Sequence, residues 1–447
     1  MKINKLISAV TAGLSLLTIT ASSVLAVGVN NGGEALTDGT FGYELVNGSY
    51  TIISCNQDAI VEEIPELRNG YAITAIADKA LSNCPNIKTL YIPDTVTSIG
   101  DSAFAGCTGL TEITLPKKIK TISEGLLMGC TKLEKVEIPD AVDTIESYAF
   151  YNCSFLKEVV LPGQLAAIEP MAFSECSSIE NIDASKCASY IFEDGLLMNK
   201  SKTNIVRAST KLTGDMRIPD SVTTIEAGSF SVCAGIENLF IPPSVTYIGD
   251  DAFGYCVKLK NIDFSEGLET IAPVAFKCCT ALQTVDLPTT LKEIGDGAFY
   301  NCTALTRAVI PEGTLTVGEG AFVDCKSLSQ INIPKSITEI GANAFGYNIN
   351  AEGAYAPADN FSLSVFSSSA GADYAKDNKL EYSYTDKNIK GIAFAIIAVG
   401  LILAAVVVAV VLMKKGSKSA SLAAKKADKQ AKEKEAEENY KSIVDED

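Results

Sequence analysis

Leu133-Glu134-Lys135-Val136-Glu137-Ile138-Pro139-Asp140-Ala141-Val142-Asp143-Thr144-Ile145-Glu146-Ser147-Tyr148-Ala149-Phe150-Tyr151-Asn152-Cys153 is one copy of the unit that decides the fold. Its apolar positions return 23 residues later as Leu156, Val159, Leu161, Leu165, Ile168, Ala172, Phe173 and Cys176, with Pro162 in the place of Pro139. Cys84, Cys107, Cys130, Cys153 and Cys176 keep that spacing of 23, and so do Cys233, Cys256, Cys279, Cys302 and Cys325. Fixed self-similarity at such a period means stacked structural units rather than a closed globule.

Within the unit, L-x-x-V-x-I ends on a period of two, the mark of a short strand. The proline after it stops the strand, because it has no N–H to give to a ladder. The V-x-x-I and Ala-Phe positions then turn the chain inward again. One such coil cannot bury both of its apolar sides, but a stack can, since each coil covers its neighbour. The spacing therefore predicts a β-rich solenoid of about a dozen coils with capped ends. Residues 27–70 hold an N-terminal cap and a first irregular repeat, residues 71–348 the regular repeats, and residues 349–390 a C-terminal cap and linker. Phe361-Ser362-Leu363-Ser364-Val365 is a candidate closing strand. The register breaks once, between Cys176 and Cys233, which predicts a hairpin insertion at about 187–213 with its turn near Asn199–Thr203.

Two apolar segments stand outside the repeats. Residues 1–26 begin with Lys2 and Lys5, continue uncharged, and end Val24-Leu25-Ala26, the pattern of a secretory signal peptide. Residues 391–413 carry no charge, and Lys414, Lys415 and Lys418 follow at once. That is a transmembrane α-helix with a stop-transfer flank, leaving a charged cytoplasmic tail at 414–447. The expected location is the cell membrane, single-pass, with the repeats outside.

Composition narrows the chemistry. The chain has 447 residues, no histidine and a net charge of −17. Without imidazole, Ser-His and Cys-His nucleophiles and the zinc sets that need histidine fall away, while carboxylate-only and all-Cys chemistry stays open, so the enzyme class is narrowed rather than excluded. Setting aside two leader lysines, nine tail lysines and eight tail acids leaves 26 basic and 46 acidic residues in 27–390. So acidic an exterior argues against nucleic acid as partner. No phosphate loop, calcium loop or converging ligand set occurs, so no catalytic residue, cofactor or metal is expected.

Ten of the 13 cysteines share one repeat position: Cys84, Cys107, Cys130, Cys153, Cys176, Cys233, Cys256, Cys279, Cys302 and Cys325. Evenly spaced side chains pointing in parallel give no reason to pair, so they read as buried structural thiols in a ladder. Cys55, Cys187 and Cys278 lie off it, and Cys278 is expected to face outward. The outward position of each first strand forms a column on one sheet face, running Tyr91, Thr114, Glu137, Val160, Asp183, Arg217, Phe240, Asp263, Asp286, Val309, Asn332. Solenoids commonly bind on the concave sheet face. Tyr91, Glu137, Asp183, Arg217, Phe240, Asp263 and Asp286 are the expected partner-binding residues, with the aromatic pair as anchors.

Ile-Pro-Asp-x-Val, as in Ile92–Val96 and Ile218–Val222, and Ala-Phe-x-x-Cys, as in Ala103–Cys107 and Ala298–Cys302, recur through the chain. In these motifs it resembles the BspA-type (Treponema-type) leucine-rich-repeat surface proteins. The segment Asp194–Val206 and the stretch Ser369–Ala375 also resemble parts of that family. The resemblance covers roughly residues 51–385. It departs where Leu126-Leu127 stand for Ala-Phe and where Thr314 stands for an apolar residue. It implies a leucine-rich-repeat solenoid and a role in surface attachment or in binding host or neighbour proteins. The expectation is a non-catalytic extracellular protein, anchored by one helix, that binds an extracellular or host protein or a glycan. The alternatives are an envelope spacer without a ligand and a sensor coupled to its tail.

Overall fold

The computed structural model describes residues 36–386 together with Lys426, Asp428 and Lys429. The expected leader at 1–26 and membrane segment at 391–413 lie outside the described residues, as does the tail apart from those three positions. Among the described residues no helix is long and apolar enough to cross a membrane. The chain divides into two compact units, residues 36–237 with 248–257 and residues 238–247 with 258–386.

The first unit opens with an antiparallel hairpin of Phe41–Val46 and Ser49–Cys55. Tyr71–Ile76 joins it parallel to Ser49–Cys55, and the coils begin. Thr89–Tyr91, Glu112–Thr114, Lys135–Glu137, Glu158–Val160 and Asn181–Asp183 form one parallel five-stranded sheet. Its register is that of the repeat, with Val136 opposite Val159. The V-x-x-I segments are also strands. Thr121–Ile122, Thr144–Ile145 and Ala167–Ile168 build a second parallel sheet. Two residues are too few to show alternation, which is why the sequence read them as turns. The proline carbonyl closes the turn between the two strands, as in Val142 N–H to Pro139 O at 3.0 Å.

Two positions per coil have positive φ. One runs Ser102, Gly125, Tyr148, Met171 and the other Asn83, Gly106, Gly129, Asn152, Glu175. The left-handed region suits Gly and Asn, which explains their recurrence there, and it strains the other residues. The core between the sheets is apolar. Phe150 stacks on Phe173 with ring centroids 5.2 Å apart, and Phe230 on Phe253 at 4.8 Å. Leu126 and Leu127 take the Ala-Phe places fully buried, so they interrupt the ring stack without opening the core.

The insertion holds the hairpin read at Asn199–Thr203, between Leu196–Asn199 and Asn204–Ala208, and adds a strand before it, Tyr190–Glu193, so that three strands form an antiparallel meander. The first turn is at Asp194-Gly195, both at positive φ, as tight hairpin turns require. Asn204–Ala208 then runs parallel to Thr224–Ile225, so the third strand is itself part of a coil.

In the second unit, Asn261–Phe264, Thr284–Asp286, Arg307–Val309 and Gln330–Asn332 are successive parallel strands. Phe276, Phe299, Phe322 and Phe345 stack at 5.1–5.4 Å. Ser362–Val365 adds to Gln330–Asn332 as expected, but Glu381–Tyr384 pairs beyond it and ends the sheet. Between those strands lies helix α1, Ala370–Asp377, with Ser369 as its N-cap. Its Tyr374 hydroxyl donates to Phe345 O and accepts from Phe345 N–H, both at 3.0 Å. Among the described residues, with cap turns included, the coils number about 15 rather than a dozen. Terminal turns lack the cysteine and so fall outside the spacing count.

Candidate functional site

The ladder cysteines are all free thiols and all buried. Several reach a carbonyl oxygen of the preceding coil. Cys130 donates to Phe104 O at 3.3 Å, Cys153 to Leu127 O at 3.2 Å and Cys176 to Phe150 O at 3.0 Å. Cys302 and Cys325 repeat this onto Phe276 O and Phe299 O. A thiol thus adds a second, weak donor to an inward carbonyl of the preceding coil that already accepts a backbone N–H, as Phe150 O does from Cys153 N–H at 3.1 Å. Burial raises Cys107, Cys130, Cys153, Cys176, Cys233, Cys256, Cys302 and Cys325 and so holds them in their neutral form. It pushes Cys107 and Cys325 up to about 12, and Cys153, Cys256 and Cys302 well above an ordinary thiol. Such thiols are poor nucleophiles and poor metal ligands. Among the described residues no cluster of Cys, Asp or Glu could hold a metal ion. Cys278 is half-buried, at the second positive-φ position of its coil, with Asn301 Nδ2 3.4 Å from its sulfur.

The strand column is polar and divided. In the first unit the register aligns Tyr91 with Thr114 and Glu137 with Val160, which in turn faces Asp183. Tyr91, Glu137 and Asp183 are exposed, and Val160 is half-buried. The five-stranded sheet ends at Asn181–Asp183, and Arg217 lies on Gly214–Arg217 in a different sheet. The insertion therefore cuts the column that the repeat spacing draws as continuous. In the second unit Phe240 faces Asp263 and Asp286 faces Val309. Phe240 is half-buried there, while Asp263 and Asp286 are exposed.

Electrostatics pins part of the column. Arg307 Nη1 lies 2.9 Å from Asp286 Oδ2, both well exposed, and Lys211 Nζ lies 2.6 Å from Glu180 Oε2. Exposed pairs such as these orient side chains more than they stabilise the fold. Ser185, through its hydroxyl and its backbone N–H, holds the Asp183 carboxyl below the usual carboxylate range. Two hollows open on the column in the first unit. One, of about 750 Å³, lies over Glu112–Thr114 and Lys135–Glu137 and is lined by Glu112, Thr114, Lys117, Lys135, Glu137 and Asp140. The other, of about 610 Å³, lies between Tyr91, Phe41, Ile60 and Glu62. Ile60 is 80% exposed and Tyr91 48%, so an apolar patch adjoins the acidic groove.

Sequence reading missed Arg207. It sits fully buried in the insertion's third strand, where the cysteine ladder is interrupted. Its Nη2 donates to Cys176 O at 2.9 Å, and its Nη1 to Gly228 O and Ser231 O at 3.0 Å. Where the ladder has no thiol, it donates to carbonyls other than those the thiols use. The only sequence signal was a lone cation in the apolar run Ile205-Val206-Arg207-Ala208.

The family model described as "BspA type Leucine rich repeat region" matches residues 74–202 and 223–352, in six copies. A leucine rich cell surface protein from Faecalibacterium prausnitzii A2-165 is similar in structure, at 26% identity over 70% of this chain and 96% of that one, with a TM-score of 0.53. A leucine-rich repeat protein from Eubacterium ventriosum is similar at 25% identity over 68% and 92%, with a TM-score of 0.50. The pneumococcal vaccine antigen PcpA shares the fold at 19% identity over 79% and 98%, with a TM-score of 0.56. A comparison with curated proteins finds no match.

Proposed function

The chain belongs to the BspA-type leucine-rich-repeat family, and from that premise we propose that it is an extracellular protein-binding scaffold used in surface adhesion. The observation that carries the reading is the exposed strand column, with its acidic groove beside the apolar patch at Tyr91 and Ile60. Interfaces combine aromatic anchors with a polar surround in this way. The partner is an extracellular or host protein that presents basic side chains around an apolar contact, or a glycan. No enzyme family is indicated, and repeat proteins of this kind are generally non-catalytic binding scaffolds.

Anchoring is part of the same proposal. Its support is the leader pattern at 1–26 and the uncharged run at 391–413 followed by lysines. Protease added to intact protoplasts should degrade 27–388 and spare the tail, whereas a protected repeat region would overturn export. For binding, soluble 27–388 is titrated against surface proteins immobilised from neighbouring and host cells. Saturable binding that weakens with salt supports the adhesin. Its absence throughout would favour an envelope spacer.

A further inference from the structure

The insertion that cuts the strand column also breaks the second sheet. Ala167–Ile168 ends one parallel sheet, and the next begins within the insertion. At that break, inside the first unit, lies a cavity of about 410 Å³. Residues 168–174 line it from the coil before the insertion, Tyr190 and Val206 from the insertion, and Glu226 and Ala227 from the coil after it. Its polar groups are of both kinds. In regular coils the residue at the ring position donates its N–H to the next coil, as Phe104 does to Leu126 O, Phe150 to Ala172 O and Phe230 to Ala252 O, at 2.7–3.0 Å. Ser102 and Gly125, two residues before that position, donate likewise to Glu124 O and Ser147 O. Phe173 and Met171 hold these two places beside the cavity, and among the described residues neither N–H has an acceptor. The Tyr190 hydroxyl accepts from Ile168 N–H at 2.9 Å, and its own proton has no acceptor among the described residues. Two carboxylates supply the opposite kind. Asn204 Nδ2 donates to Glu226 Oε1 at 2.6 Å, and the Ser147 N–H and hydroxyl donate to Glu169 Oε2 at 3.2 and 3.1 Å. Among the described residues no donor reaches the second oxygen of either.

We propose that this cavity, where the insertion interrupts the coil stack, binds one uncharged sugar residue. A hydroxyl donates and accepts at once, which suits a cavity that offers unpaired donors and unpaired acceptors together. A cation would satisfy the carboxylates and leave the N–H groups without acceptors, at the cost that unpaired polar groups carry. An anion would meet two negative charges. An extended peptide meets a blocked edge, because the Tyr190 hydroxyl already holds the Ile168 N–H that an added strand would use. Ile168 and Val206 offer apolar surface to the ring carbons. The volume falls within the usual range for small-ligand sites, about 300–1,000 Å³. The cavity shares no residue with the strand column, so the proposal does not depend on the protein-binding reading.

The test is saturation-transfer NMR on the purified full chain, held in a detergent without a sugar headgroup. The probes are glucose, galactose, mannose and N-acetylglucosamine, with N-acetylneuraminic acid and spermidine as charged competitors. At least one neutral sugar should bind saturably, and neither competitor should displace it. Glu226→Gln keeps the side chain's size and its contact with Asn204 but turns the unpaired acceptor into a donor. It should weaken the bound sugar about tenfold while melting as wild type does. Val206→Phe fills the cavity and should abolish binding. Tyr91→Ala, on the strand column, should leave the sugar's affinity unchanged. The proposal is overturned by an absence of saturable binding for all the neutral sugars, by displacement with spermidine, or by wild-type affinity in Glu226→Gln. Loss of the sugar in Tyr91→Ala would overturn it too, by placing the sugar on the strand column.

Discussion

A cysteine recurs at one position in each regular coil because a small side chain with a weak donor is needed beneath the next ring. Alanine would leave space and lose the second contact to a carbonyl that a backbone N–H already pairs, and serine would bring a hydroxyl that is costlier to bury. The same logic makes Thr314 a fault. Its hydroxyl is fully buried without a hydrogen-bond partner, at a repeat position that is otherwise apolar. Thr314→Val keeps the shape and removes the orphan, and should stabilise the chain by about 1–2 kcal/mol in denaturant unfolding. An unchanged midpoint would mean that an unseen water already satisfies the group. Phe150→Ala is the opposite change. It removes a fully buried ring from its stack on Phe173, and should cost about 3–5 kcal/mol through the cavity left behind. Val274, at φ 50°, is a β-branched residue in the left-handed region. Val274→Gly relieves that strain while raising unfolded-chain entropy, so its measured sign will show which effect wins.

At the scale of elements, the cap hairpin depends on one carboxylate. Asp38 accepts from the N–H groups of Thr40 and Phe41 at 2.9 and 2.8 Å, and from the Tyr43 hydroxyl at 2.7 Å. Arg68 Nη1 adds a contact at 3.1 Å while its guanidinium lies 3.8 Å over the Tyr43 ring. Partial burial acts to raise the Asp38 pKa, but these hydrogen bonds and the cation outweigh it, and the net direction is down. A lowered folded pKa gives stability that is present above the unfolded value of about 4 and is lost as pH falls through the folded one. Asp38→Asn should therefore melt below wild type at pH 7, and the gap should close below about pH 4. A gap unchanged at low pH would remove the carboxylate from the explanation.

Elements also show where the sequence stops being legible. The 23-residue spacing contains the first strands, the buried rings and the thiols, because stacking forces one residue type onto one place in every coil. It does not contain the second sheet, whose two-residue strands are shorter than any alternation. Nor does it contain the meander's first strand, Tyr190–Glu193. The turn at Asn199–Thr203 marked the other two, but that Asn204–Ala208 joins a coil follows only from its pairing with Thr224–Ile225, a long-range contact. Arg207 was opaque for a related reason. A cation reads as surface until the carbonyls that receive it are known.

For the molecule as a whole, a candidate binding face must be separated from a merely solvated one. Tyr91 and Arg217 belong to the first unit and Phe240 to the second, and they lie in three separate strands. Tyr91 and Arg217 are exposed, so Tyr91→Ala and Arg217→Ala should each change stability by no more than about 0.5 kcal/mol. Phe240 is half-buried, and its truncation should cost more, about 1 kcal/mol. On an interface each anchor should instead weaken binding by about 1–2 kcal/mol, a loss well beyond its effect on folding. Tyr91 should matter most, since it stands between the apolar patch and the acidic groove. Binding isotherms of the three single variants, set beside their unfolding curves, separate the two effects. Full affinity in all three, with loss of binding from changes on the Thr121–Ile122 and Thr144–Ile145 sheet, would move the binding face to the other side of the coils.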